Sequence, residues 1–247
     1  MRFIKNSSLE VVIGAVFYQY FVHHLFFQSF PTSSEGLLLA LAVWFIYLID
    51  RQVDNIFQSA NDLRHHFHLE HKLIFRIIIA VIGVAIIILL PFQRLEVLYA
   101  GFALLTTIIG YGIAYHGGWL RLEKELVTAI LYGLGVGLVV WVREIRAFLL
   151  LGTLIALAYQ NLCFFTLMEN PSSFYKSRLR KTEWVLIGLV TGIYASTQDL
   201  FTILPFLVTF GITFLLSRLP VSENSRLWGD LAFWSPLIYL IHGIFST

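Results

Sequence analysis

Apolar residues fill this chain in long blocks, interrupted only by short polar stretches. Nine blocks stand out, at about 9–30, 35–50, 73–91, 95–114, 125–142, 147–168, 182–198, 199–218 and 227–245. Several are long enough to cross a hydrocarbon layer of about 30 Å as helices. The run 77–82 is apolar at every position. It lacks the period-two alternation of a membrane β-strand. The pattern predicts an all-α, polytopic transmembrane bundle of about nine spans, built as one membrane-embedded domain over 1–247. The second block is short and ends on an acidic residue. The seventh and eighth are separated only by a tight turn at 196–199. No internal repeat and no low-complexity tract is visible.

Composition agrees with this picture. Apolar residues make up 58% of the 247 positions and charged residues 13%, with a mean hydropathy of +0.78. Soluble domains carry about 25% charged residues. The net charge of +2 gives no basis for nucleic-acid binding. The single cysteine, Cys163, lies in an apolar block and reads as a packing residue. The start, Met1 to Lys5, runs into an apolar block without a small-residue cleavage site, so no cleaved signal is expected.

Lysine and arginine set the expected orientation, because cytoplasmic loops collect them. With the N-terminus in the cytoplasm, that side receives fourteen: Arg2, Lys5, Arg51, Arg64, Lys72, Arg76, Arg121, Lys124, Lys176, Arg178, Arg180, Lys181, Arg218 and Arg226. The other side receives Arg94, Arg143 and Arg146. The expectation is N-in and C-out. Trp119, Trp141, Trp184 and Trp228 fall near block ends, as an interfacial belt places them. The longer polar loops, 51–72, 114–124 and 169–181, then share the cytoplasmic face.

Four segments can carry chemistry. Asp50-x-x-x-Asp54 closes the second block, and carboxylates four apart share one helical face. Such a pair suits Mg²⁺, which takes carboxylate oxygens and leaves positions for substrate phosphates. Solvated charge at a helix end is the plain alternative. In the following loop, His65, His68 and His71 recur every third residue beside Glu70. They read as a basic interfacial loop rather than a metal centre, since other histidines are few. Arg64 there is the residue best suited to a phosphate. The 111–125 segment contains Tyr115, and its cations Arg121 and Lys124 either neutralise an anionic head group or only fix topology. Lastly, Gln160 and Asn161 are amides near the end of the sixth block. Buried amides in lipid need partners, so they are expected to face the bundle interior. Glu169 ends that block as Asp50 ends the second.

These features together resemble the UbiA-type membrane prenyltransferase superfamily. The likeness lies in nine helices with the N-terminus inside, an acidic motif after the second helix, a basic loop behind it, and the Tyr115 to Lys124 segment before the fifth. The resemblance implies a catalytic pair, Asp50 and Asp54, that holds Mg²⁺, with Glu169 as a lone second-site ligand. It implies that Arg64, Lys124 and Arg178 contact the diphosphate of a prenyl donor, with Tyr115 and Asn161 also at the substrate. A prenyl group would pass to a lipid or aromatic acceptor at a cytoplasm-facing site, in a bacterial inner membrane. Two positions depart from the family pattern. Ile46 stands where the first motif opens with asparagine. Ser173 stands four residues after Glu169, where a second carboxylate belongs. The basic run Lys176, Arg178, Arg180 and Lys181 follows at once and can meet diphosphate charge instead. The departures also fit a non-catalytic member that binds an isoprenoid lipid or pigment. A transporter is disfavoured, because the two halves show no matching pair of broken helices.

Overall fold

The computed structural model describes residues 9–57, 70–120, 122–169, 171–220 and 224–245, with backbone only at 54–57, 146 and 243–245. Every regular element among them is helical. The order is α1 (Leu9–Phe27), α2 (Ser33–Phe57), α3 (Lys72–Leu89), α4 (Leu95–His116), α5 (Lys124–Val136), the one-turn α6 (Leu138–Trp141), α7 (Phe148–Glu169), α8 (Ser173–Thr197), α9 (Leu200–Leu216), α10 (Ser225–Leu231) and α11 (Pro236–Phe245). Five segments are long and apolar enough to cross a membrane: Leu9–Phe27, Ser33–Val53, Lys72–Phe92, Leu95–His116 and Phe148–Glu169. They mark an integral membrane protein.

Local chemistry sets the helix ends. Thr32 and Glu35 form a reciprocal capping box at the start of α2. The Glu35 amide donates to Thr32 Oγ1 at 3.3 Å, and the Thr32 amide donates to Glu35 Oε2 at 2.9 Å. Ser172 Oγ accepts from the Tyr175 amide at the start of α8. Asp199 caps α9 by accepting from the amides of Phe201 and Thr202. The Thr202 hydroxyl, and after it those two amides, hold the Asp199 carboxyl below the usual aspartate range. The chain leaves α8 through Gln198 in the left-handed region at φ 51°, which lets α9 fold straight back.

Four expected boundaries are corrected. The second helix does not stop at Asp50 but continues to Phe57, so Asp50 and Asp54 lie within its last turns. The loop expected over 169–181 is helical from Ser173. Tyr175, Leu179, Thr182, Glu183, Leu186 and Val190 recur at helical spacing on its inner face, a pattern hidden from hydropathy by the charges between them. The fifth block, 125–142, breaks at Gly137, and the ninth, 227–245, is interrupted by a tight turn at Ala232–Trp234.

The centre of the bundle is α7. Leu151, Leu154, Leu157 and Cys163 on it are fully buried, and it packs most extensively against α8 and α5. The contact with α5 depends on small residues. A Cβ at Gly133 would collide with the Ile155 side chain, and one at Gly137 with Leu151. Four-residue spacing of glycines lets two membrane helices approach this closely. Beside α7 lie α9 and α10, and against these two pack α1 and α11. They are tied by a buried hydroxyl network: Tyr18 OH lies 2.8 Å from Thr209 Oγ1, Thr209 donates to the Ala232 carbonyl, and Ser235 donates to the Pro205 carbonyl. A second, smaller core of Leu48, Phe75 and Ile82 joins α2 to α3. By contrast α3 and α4 are apolar and largely exposed, as lipid-facing helices must be.

Gly133→Leu is expected to separate α5 from α7, at about 1–3 kcal/mol for an overpacked core site. A lowered thermal midpoint in detergent would show it; an unchanged midpoint would refute the close approach. Asp199→Ala should cost about 1 kcal/mol as a lost helix cap. Because the folded carboxyl is held below its unfolded range, the cap stabilises the protein above about pH 4. The stability gap between wild type and Asp199→Ala should close as pH falls through the lowered pKa.

Candidate functional site

Charged side chains collect at the two ends of this bundle. At one end, Arg94 meets the buried Glu35 at 2.6 Å, and Arg143 lies over the Phe27 ring at 4.1 Å. Among the described residues, the other end holds the ion pairs of Asp50 with Lys124, Glu123 with Arg178, Glu169 with Arg226, and Glu183 with Arg218. It is this second end that gathers the chemistry.

Its centre is the start of α5, where Glu123, Lys124 and Glu125 stand in sequence. Their neighbours come from four helices. Lys124 Nζ reaches Asp50 Oδ1 of α2 at 3.2 Å. Glu123 Oε1 accepts a 2.6 Å hydrogen bond from Tyr159 of α7, and its Oε2 lies 3.6 Å from Arg178 Nη2 of α8. Glu125 Oε1 accepts from Thr166 of α7 and Tyr175 of α8, both at 3.0 Å. Cys163 is fully buried beside Tyr159, in the packing role expected of it. Tyr111 of α4 feels the charges of Lys124, Glu125 and Asp50. Its buried hydroxyl has no hydrogen-bond partner among the described residues. Each acid here points at a cation or a hydroxyl, so negative charge is held in place within a mostly apolar protein.

The residues singled out by sequence distribute unevenly. Asp50, Lys124 and Arg178 enter this cluster. Tyr115 stacks one turn along from Tyr111, with ring centroids 5.7 Å apart. Asp54 lies one turn beyond Asp50 on the same face of α2, its side chain outside the described residues. Arg64, Arg121, His65 and His68 lie outside them altogether. Glu169 is turned away to Arg226 at 2.6 Å, whose guanidinium also covers the Phe165 ring. Asn161 is interior, as expected, with 6% exposure, but it does not join the cluster. It lies under α10, where a Cβ on Gly229 would come within 2.7 Å of Asn161 Oδ1. Two residues from Tyr159 on a helix means about 200° of rotation. Neither the amide of Gln160 nor Asn161 Oδ1 has a hydrogen-bond partner among the described residues.

Sequence reasoning passed over Glu123, Glu125, Tyr159, Thr166 and Tyr175. A signal for the first two existed: a charged triplet directly before an apolar helix. The tyrosines carried none, because aromatics are frequent throughout the chain.

Asp50 with Lys124 beside it has suitable donors for a hard cation and for a phosphate on that cation. No group of three metal-type side chains converges among the described residues. Comparison with known proteins is silent: no family model, no curated protein and no solved structure matches the chain.

Glu125 and Tyr175 should be energetically coupled. In a double-mutant cycle of Glu125→Gln and Tyr175→Phe, a coupling of about 0.5–3 kcal/mol is expected, read from unfolding in mixed micelles. Strict additivity would remove the contact from the argument.

Proposed function

We propose that this protein is a UbiA-like, Mg²⁺-dependent transferase that moves a prenyl group from a prenyl diphosphate to a lipid or aromatic acceptor. The observation that carries the proposal is the meeting of Asp50, Glu123, Lys124, Glu125, Tyr159 and Arg178, from four helices, at one end of an apolar bundle. A set this polar within a membrane protein marks a functional site. The proposal includes nine spans, an N-in and C-out topology, a site opening on the cytoplasm and a place in a bacterial inner membrane.

Asp50, with Asp54 one turn on, would hold the metal. Bound Mg²⁺ would supply charge neutralisation for the departing diphosphate. The chain's own groups do the rest. Lys124 lies 3.2 Å from Asp50, so a phosphate oxygen on a metal held by Asp50 would come within reach of its ammonium. Glu123, 3.6 Å from Arg178, draws its guanidinium toward the cluster, where it can meet a second phosphate oxygen. The ring of Phe174, 5.0 Å from the Arg178 carbon, limits its swing. Tyr111 and Tyr115 offer aromatic faces of the kind that stabilise a developing cation.

A second reading has its own observation. Asp50 and Glu169 each sit on a cation, and no three-ligand cluster forms among the described residues. That favours a non-catalytic protein on the same scaffold which binds an isoprenoid lipid or pigment.

Diphosphate release separates the two. Protein in lipid nanodiscs, given labelled prenyl diphosphates of several lengths and a panel of aromatic acceptors, should release diphosphate only with Mg²⁺. Asp50→Asn should slow release by at least about a hundredfold, as loss of a charge-stabilising group does. Retention of labelled prenyl lipid with no release, and no effect of Mg²⁺, would favour the binding protein.

A further inference from the structure

The basic run after Glu169 is split by α8 into two faces. Arg178 turns inward to Glu123. Lys176, Arg180 and Lys181 turn outward, where with Ser173, Ser177 and Trp184 they line an open groove along the helix. The division follows from helical periodicity. Leu179, Thr182, Glu183 and Leu186 are buried on the inner side, while 176, 177, 180, 181 and 184 are exposed. The outward cations have no ion-pair partner among the described residues, whereas Arg178, Arg218 and Arg226 nearby are all bridged. Three uncompensated cations within two turns repel one another, so the arrangement favours an anion in the groove.

The axis of α8 says what kind of anion. Trp184 is 75% exposed, and beyond it Val185 and Ile187 are exposed and apolar. Along one helix the surface passes from cations and hydroxyls, through an indole, to exposed apolar side chains. Lys176 to Trp184 covers about 12 Å. That sequence of chemistries matches the layers of a bilayer leaflet, with tryptophan at the interface. A soluble anion would need no indole belt and no apolar continuation. We propose that this outer face of α8 binds the phosphate of an anionic phospholipid headgroup. Lys176, Arg180 and Lys181 supply the charge. The Ser173 and Ser177 hydroxyls donate to phosphate oxygens, and Trp184 lies against the glycerol region. The proposal is independent of any transfer activity, because Glu123 and Asp50 pair with Arg178 and Lys124 and with none of these three cations.

The test is lipid retention by native mass spectrometry, from micelles holding equal amounts of phosphatidylglycerol and phosphatidylcholine. The wild-type protein should retain phosphatidylglycerol preferentially. K176A/R180A/K181A should lose that preference, by about fivefold for each cation removed. K176R/K181R should keep it. K72A/R76A, which removes exposed cations from α3, should keep it as well. Should the triple variant fail to fold, K176A and R180A singly must each show a partial loss. Equal retention of the two lipids by the wild type would overturn the proposal, as would an equal loss in K72A/R76A. Displacement of phosphatidylglycerol by millimolar inorganic pyrophosphate, with pyrophosphate binding abolished in the triple variant, would reassign the groove to a soluble diphosphate.

Discussion

An unpaired polar group in hydrocarbon costs several kcal/mol, and outside a few buried groups such as the Gln160 and Asn161 amides the architecture of this protein is arranged around that penalty. Backbone groups are satisfied by making every described regular element a helix. Side-chain charge is driven to the bundle ends, where Glu35 meets Arg94 and where Asp50, Glu123, Glu169 and Glu183 each meet a cation. The hydroxyls in the centre pair across helices, as Tyr18, Thr209 and Ser235 do around the kink-prone Pro205. Polar pairing therefore does two jobs. It removes the desolvation penalty, and it fixes which helices are neighbours, since lipid tails do not favour one apolar helix contact over another.

Close approach supplies the remaining specificity. Gly133 and Gly137 bring α5 against α7, and that contact carries the start of α5 to Tyr159 and Thr166. The candidate site is thus a consequence of packing some distance from it. Glu123 and Glu125 reach α7 because the glycines further along α5 let the two helices cross closely. The same helix pair fixes Arg178, through Glu123, on the inner face of α8. Its neighbours Lys176, Arg180 and Lys181 are left exposed, with no ion-pair partner among the described residues.

The long apolar helices were legible from hydropathy, because a block of apolar residues in this length range has few other uses. Asp50 and Lys124 were legible as candidates because charge beside an apolar block is costly and conspicuous. The early start of α8 was hidden by its charges, although its inner face keeps a helical period. Glu169 looked equivalent to Asp50 by position in its block. Its direction depends on Arg226, fifty-seven residues later, and no local rule reports that.

What the sequence determined by itself was the class of the protein: all-α, membrane-embedded, with charge confined to the ends of its spans. Those properties follow from the free energy of moving each residue between water and lipid, which is additive along the chain. Only the tertiary structure decided the partners. It placed Tyr159 and Tyr175 on Glu123 and Glu125, moved Asn161 under Gly229, and separated Glu169 from Asp50. Such choices depend on helix rotation, and a step of one residue turns a side chain through about 100°. Hydropathy cannot report that angle; it is set by contacts between residues far apart in sequence.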